Sequence, residues 1–416
     1  MASISAMAPL REPPFRWYFA SRSVNLVGNT MAPVALAFAV LSVSHAAIAL
    51  GLVLAARTVP LLVFLLIGGV VADRWGRARV IMASNLVCGV SQGAAAVVVL
   101  SGHATLWHLV ALSAVNGVAD AAGMPAMNGL IPQLVPRTRL QEANALTALT
   151  RAVLAILGPS LAAVFVVGAG PGWALLVDAA TWLAAAALMV PVKLPARAPE
   201  PGSDRRPSLL HDLGAGWGFF RRTTWLWLGV AATCVLNALY EGGLLTLGPV
   251  RAKSSDLGPH GWGLMLSAQG VGVLIATLGL IRWRLQRPLQ TGMVGMALFG
   301  LPMVVLGVTT GLATLLTAAL LSGVGIQVFS MGWNLAMQEH IPEELLSRAV
   351  SYDQLGSFAA IPVGQLALGP VAAAYGLERV LLVSGVAYVA ISLLLLLSPS
   401  VRAVRRVVPR SQTQAA

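Results

Sequence analysis

Gly69-Val70-Val71-Ala72-Asp73-Arg74-Trp75-Gly76-Arg77-Ala78-Arg79 is the stretch on which the reading of this chain turns. It reads as a short, charge-dense loop between two long apolar runs. One acid and three arginines fall within seven residues, in a chain of 416 residues of which only 10% are charged. Charge so concentrated in a chain so sparse in it needs a physical reason.

The surroundings supply part of that reason. The chain is 57% hydrophobic, with a mean hydropathy of +0.80. Soluble domains carry about 25% charged residues, so this much apolar surface implies lipid as the solvent. A helix needs roughly 20 apolar residues to cross the hydrocarbon core. Twelve such runs are present, at about 18–41, 47–71, 79–100, 106–128, 143–167 and 172–192, then 224–248, 261–281, 291–310, 312–334, 349–374 and 376–398. The expected fold is therefore an all-α integral membrane protein with twelve transmembrane helices. The expected organisation is an N-terminal six-helix half (1–192), a linker (193–223), a C-terminal six-helix half (224–398) and a tail (399–416). Pro195, Pro199, Pro201 and Pro207 give 193–223 the composition of a linker. Its end, Leu209 to Phe220, has the mixed character of an interfacial amphipathic helix.

The net charge of +12 does not point to nucleic acid, because the arginines flank apolar runs rather than pave one surface. They set topology instead. With the N-terminus inside, the inner segments take Arg11, Arg16, Arg74, Arg77, Arg79, Arg137, Arg139, all six linker cations, Arg282 to Arg287, Arg348 and the tail arginines. The outer loops take only Arg251, Lys253 and Arg379. Both termini are expected to be cytoplasmic, in a bacterial inner membrane. No removable signal peptide is expected. Cys88 and Cys234 lie in apolar runs and read as buried small residues rather than a disulfide or metal pair. No metal site, cofactor or nucleophile–base pair is expected, so the chain does not read as an enzyme. An ATP-driven pump is also excluded, as no Gly-x4-Gly-Lys-Ser/Thr loop is present.

The two sets of six spans overlay without gaps over long stretches. A shift of 212 pairs Asn25 with Asn237, Asn29 with Glu241, Gly51-Leu52 with Gly263-Leu264, and Arg57 with Gln269. A shift of 206 pairs Asn128 with Asn334, Pro136 with Pro342, Leu140 with Leu346, and Gly158 with Gly364. Two six-helix halves related in parallel are a known transporter plan, with the substrate near the midplane between them.

The opening stretch, with the twelve spans and the central linker around it, resembles the major facilitator superfamily. It matches that family's signature between spans 2 and 3, Gly-x3-Asp-Arg-x-Gly-Arg-x-Arg, at Gly69, Asp73, Arg74, Gly76, Arg77 and Arg79. Within the superfamily, three features are similar to the branch of the enterobactin exporter and the transmembrane secretion effectors. They are Leu52 to Pro60, Ile131 to Pro136 followed by Ala143-Asn144-Ala145-Leu146, and Pro362-Val363-Gly364 with Gly369-Pro370. The resemblance implies proton-driven export of a small molecule. It also implies that Asp73 meets the positive end of span 11, near Arg348 to Asp353, braced by the loop arginines, and so latches the halves on the inside. Gly69 is expected to allow close helix approach and Gly76 a tight turn. The antiporter signature of span 5, ending Gly-Pro-x-x-Gly-Gly, is only partly kept: Gly158-Pro159 is followed by Ser160, Leu161, Ala162 and Ala163.

Ionisable groups within spans face a cavity or a partner. Asp120, Glu241 and Arg57 are the candidates for proton or substrate coupling. Asp120 can load and release a proton, unless an opposing Arg57 or Arg151 keeps it ionised. Asp178 reads as structural, and Asp353 as a cap at the start of span 11. Asn25 and Asn29 share a face of span 1, as Thr233, Asn237 and Glu241 do of span 7. With Asn116 and Met124 of span 4, they are the cavity candidates; helix–helix hydrogen bonding is the alternative use of such polar residues. Met31, Met127, Met331, Met337, Trp333 and Phe329 could add adaptable apolar surface.

The expected partners are a small-molecule substrate, protons and membrane lipid, and the expected working unit is a monomer. The leading expectation is a secondary exporter of a small amphiphile such as a drug, siderophore or secondary metabolite. An uptake symporter should show more charge in its interior. A receptor or scaffold would have no use for an intact gating loop.

Overall fold

The computed structural model describes residues 7–44, 46–128, 130–192, 217–283 and 285–406. Twelve long helices dominate them. They are α1 (Pro13–Val43), α2 (Ala47–Trp75), α3 (Arg77–Leu100), α4 (Leu106–Asn128), α5 (Leu140–Gly168), α6 (Pro171–Met189), α7 (Thr224–Lys253), α8 (Gly258–Arg282), α9 (Pro288–Val308), α10 (Leu312–His340), α11 (Ala349–Tyr375) and α12 (Leu377–Leu397). Each holds a segment long and apolar enough to cross a membrane. No strand occurs among the described residues. Backbone satisfaction in hydrocarbon requires this: a helix bonds its own N–H and C=O groups within the segment.

The helices pack by one pattern used twice. In the first half α2 packs on α4, α3 on α4 and α6, and α1 on α5 and α6. In the second half α8 packs on α10, α9 on α10 and α12, and α7 on α11 and α12. Residues 193–216 lie outside the described residues, and with them most of the interfacial helix expected over Leu209 to Phe220. Residues 217–222 are helical. Trp217 and Phe220 stack at 5.7 Å and meet Tyr352 of α11 at 5.6 and 5.7 Å.

The charge-dense stretch is not a loop. α2 continues through Asp73 and Arg74 to Trp75, and α3 begins at Arg77. Gly76 alone turns the chain, at φ 89°, a region that a side chain would strain. Neither proline nor glycine interrupts Asp-Arg-Trp, and Arg74 in the last turn of α2 complements its negative end. A close approach to α4 is made by the neighbouring Gly68. A Cβ on Gly68 would overlap the carbonyl oxygen of Ala121 in α4. The surroundings of Gly69, and the side chains of Asp73 and Arg348, lie outside the described residues.

Twelve crossings put both termini on one face, called here the termini face; the other is the far face. The halves meet chiefly through α2 with α11 and α5 with α8, and α1 adds contacts with α7 and α8. These contacts lie in the far-face portion of the bundle. A Cβ on Gly51 would overlap the carbonyl oxygen of Gln365, and one on Gly263 would stand 2.6 Å from that of Pro159. Gly369 packs on Ile48, and the Lys253 ammonium donates to the carbonyl oxygen of Leu41. Ser160 and Ser267 share a hydrogen bond of 2.7 Å between α5 and α8. Among the described residues, no comparable pairing joins the halves near the termini face. Among the described residues, the halves are therefore joined at the far face.

Candidate functional site

Between the halves lies a cavity of about 300 Å³, built from α1, α2, α7 and α8. Asn29 of α1, Arg57 of α2 and Glu241 of α7 are its polar side chains. Leucines such as Leu36, Leu50 and Leu266, together with Trp262, form the walls. Trp262 is fully buried, and its ring lies against Gly248, where a Cβ would come within 2.5 Å.

Each polar group is held by its own half. Arg57 Nε and Nη2 donate to Asp120 Oδ2 of α4 at 3.2 and 2.6 Å. Asp120 is 14% exposed and Arg57 32%, so the acid is largely withdrawn from solvent and the guanidinium only partly. Both bonds converge on one carboxylate oxygen, which leaves the rest of the guanidinium's N–H groups for a ligand. The other Asp120 oxygen has the Cys88 thiol 3.8 Å away. The partner of Asp120 is thus Arg57 rather than Arg151, and the acid serves as a counter-ion to a cavity cation. Asn29 Nδ2 donates to Asn25 Oδ1 at 2.8 Å, leaving the Asn29 carbonyl oxygen for the cavity. Glu241 Oε2 accepts from Gln365 Nε2 of α11 at 3.4 Å.

Glu241 sits where α7 changes its winding. Residues Tyr240–Leu247 form a π-helical segment, and Thr246 Oγ1 donates to the Glu241 carbonyl oxygen at 2.8 Å. Such segments widen a helix and recur at functional sites. Gly242 in this segment packs on the carbonyl of Gly364 in α11, so no Cβ fits there. The Glu241–Gln365 bond is therefore next to the backbone crossing of α7 and α11. It is also next to the crossing of α2 and α11 at Gly51.

The remaining cavity candidates are engaged elsewhere. Asn25 is buried and accepts from Arg22 Nη1 at 3.1 Å as well as from Asn29. Asn116 Nδ2 donates to Ser91 Oγ of α3 at 2.5 Å and to its own helix at Leu112. Asn237 Nδ2 donates to the Ser357 carbonyl of α11 at 2.9 Å. The bonds of Asn25 stay within α1, whereas Asn116–Ser91 and Asn237–Ser357 are helix–helix hydrogen bonds, the alternative use of polar residues in a membrane. Thr233 is half-buried and Met124 exposed, and neither lines the cavity.

Asp353 is not a cap. The helical segment that leads into α11 begins ten residues earlier, at Glu343, and Asp353 accepts from Trp333 Nε1 of α10 at 3.0 Å and from Ser357 Oγ at 3.2 Å. Asp178 is buried and accepts from Gln92 of α3 at 2.7 Å, a bond that ties α6 to α3. Cys88 and Cys234 are free thiols. Gln365, Trp262 and the Ser160–Ser267 pair were not singled out by sequence. Ser160 could have been, since it stands just after Gly158-Pro159 in the altered span 5 signature.

Two parallel-related six-helix bundles around one midplane cavity define a secondary transporter of the major facilitator type. The profile of the transmembrane secretion effectors matches residues 4–414, and the chain belongs to that family of the major facilitator superfamily. It is similar to the enterobactin exporter EntS of Shigella boydii serotype 18 (strain CDC 3083-94 / BS512), at 28% identity over 270 residues. That match covers 64% of this chain and 61% of the relative. EntS of Escherichia coli O1:K1 / APEC matches equally, at 28% over the same length. The match thus spans about three-fifths of the length of these relatives. In fold the chain is similar to the nucleoside transporter NupG, with a TM-score of 0.71 and 15% identity over 92% of this chain and 98% of that one. A bacterial homolog of the human lysosomal transporter Spinster, in an inward-facing and occupied conformation, gives 0.71 and 12% identity over 97% and 99%. These relatives are transporters rather than enzymes, and the chain is a multi-pass membrane protein.

Proposed function

We propose that the protein exports a small amphiphilic molecule by alternating access, in exchange for protons. The observation that carries this reading is the central cavity: one cation and one acid, contributed by opposite halves, in an otherwise apolar chamber. Such a chamber suits a molecule with a large apolar body and few polar groups, and suits a strongly polar nutrient poorly. The arginine distribution supports a cytoplasmic position for the termini face. The state described is then open to the cytoplasm and closed outward, ready to load cargo. The residue blocks 1–192 and 224–398 act as the two moving bodies, with 193–223 as the connection. The similarity to an exporter of a siderophore supports the direction of transport.

In this reading Arg57, held in place by Asp120, orients an anionic or hydrogen-bond-accepting group of the cargo. Glu241 exchanges a proton for cargo and passes its state to the outer closure through Gln365. Asp73, with Arg74, Gly76, Arg77 and Arg79, latches the inner side in the alternate state. A contact present in only one state can shift the equilibrium. No cofactor takes part, and a single chain is the working unit.

The test is proton movement in proteoliposomes carrying an internal pH dye and challenged with a panel of amphiphiles. Wild type should move protons opposite to cargo. Glu241→Gln, nearly isosteric, should bind cargo yet move no protons. Proton movement in the same direction as cargo, or an unchanged response in Glu241→Gln, would overturn the coupling.

A further inference from the structure

A second site lies outside the transport path. On the flank of the first half, α2, α3 and α4 leave a lateral groove of about 870 Å³ near the termini face. Its walls are apolar. Val87, Val115 and Val118 are each more than two-fifths exposed, which in a membrane means that they face acyl chains. Trp75, 67% exposed, stands at its mouth, at the depth where tryptophans anchor to the interface.

The polar side chains of the groove are few. Ser84 lines it, but its hydroxyl is already donated to the Ala119 carbonyl at 2.8 Å. The others are Arg74 and Arg79, on either side of the Gly76 turn. Both are exposed. Among the described residues, no carboxylate lines the groove. Two cations at the water-facing end of an apolar, lipid-facing slot form the charge pattern of an amphiphilic anion with long chains.

We propose that this groove binds an anionic phospholipid, with its phosphate between Arg74 and Arg79, its glycerol region beside Trp75 and its acyl chains along Val87, Val115 and Val118. Positive side chains at the membrane surface attract anionic headgroups, and arginine's fork matches phosphate oxygens. The opening sequence thus has a lipid-facing side as well as an inward one. Its tryptophan, which the signature leaves undefined, belongs to the lipid site.

Brominated lipids that quench tryptophan test this directly. The protein is reconstituted in phosphatidylcholine vesicles containing increasing amounts of brominated phosphatidylglycerol or brominated phosphatidylcholine. The Trp75 signal is taken as the difference between wild type and Trp75→Phe. Half-quenching should need on the order of tenfold less phosphatidylglycerol than phosphatidylcholine, given two cations near the headgroup. Arg74→Gln/Arg79→Gln should erase that preference, and Arg74→Lys/Arg79→Lys should keep most of it. Equal quenching by the two lipids would mean an ordinary lipid annulus and overturn the proposal. So would a preference that survives Arg74→Gln/Arg79→Gln, or a Trp75 that neither lipid reaches because protein covers it. If the glutamine variant cannot be recovered folded, the wild-type comparison of the two lipids decides alone.

Discussion

The crossing of α2 with α4 and that of α8 with α10 are the same backbone feature filled with different chemistry. A Cβ on Gly117 of α4 would overlap the carbonyl oxygen of Arg57, and one on Gly323 of α10 would overlap that of Gln269. Gly117 and Gly323 are 206 residues apart, the repeat offset of that region, and Arg57 and Gln269 are 212 apart. In the first half the side chains form an ion pair, Arg57 with Asp120. In the second, Gln269 Nε2 donates to Ser322 Oγ at 2.9 Å and lies 3.3 Å from the Tyr240 hydroxyl. The cavity shows the opposite asymmetry, with neutral Asn29 in the first half where the second has Glu241. Close packing is thus conserved between the halves because a backbone crossing tolerates no Cβ. Charge is free to differ, and it places a cation on one wall and an acid on the other.

The largest effect should come from forcing the halves to match. Arg57→Gln copies the second half's residue into the first and strands Asp120. Leaving a largely buried acid without its partner costs about 3–5 kcal/mol. Monodisperse yield and thermal midpoint should fall sharply, and Arg57→Gln/Asp120→Asn should recover most of the loss. If Arg57→Gln alone is as stable as wild type, the ion pair is not what holds that crossing.

A smaller effect is expected where the halves already agree. Gly51→Val and Gly263→Val crowd equivalent crossings at the far-face closure, at about 1–3 kcal/mol each. Both should populate states with the far face open, read as longer distances between spin labels placed there. Movement in opposite directions would break the equivalence. The smallest change belongs to Ser160→Ala or Ser267→Ala, which removes one neutral hydrogen bond across the halves. About 1 kcal/mol is at stake, visible as a modest shift in the same distance distributions. A collapse of folded protein would show that this pair does more than the geometry indicates.

The spans were legible because lipid imposes a length and a composition that few other environments do. The repeat was legible because its offsets are constant. The connection between spans 2 and 3 is shorter than its charge suggests, because charged residues do not by themselves break a helix. Asp73, Arg74 and Trp75 are all compatible with a last turn, and only Gly76 has a conformation that ends one. Helical periodicity selected Asn29 and Glu241, but it selected Asn25, Asn116 and Asn237 by the same signal. Periodicity tells which face a residue occupies, not what lies opposite; a neighbouring backbone and a cavity look alike in one sequence. Trp262 and the leucines of the chamber carried no signal, because apolar residues are the background of this chain. The π-helical turn at Glu241 left no periodic signal either; within it Gly242 packs on Gly364 of α11.

The direction of transport is the claim on which the rest depends. It is tested most directly by untargeted mass spectrometry of the growth medium from a deletion strain complemented with wild type or with Asp73→Asn. Asp73→Asn should insert and fold but not cycle. At least one small amphiphile should accumulate outside cells with wild type and stay inside with Asp73→Asn. Identical media, or a compound drawn out of the medium by wild type alone, would contradict it.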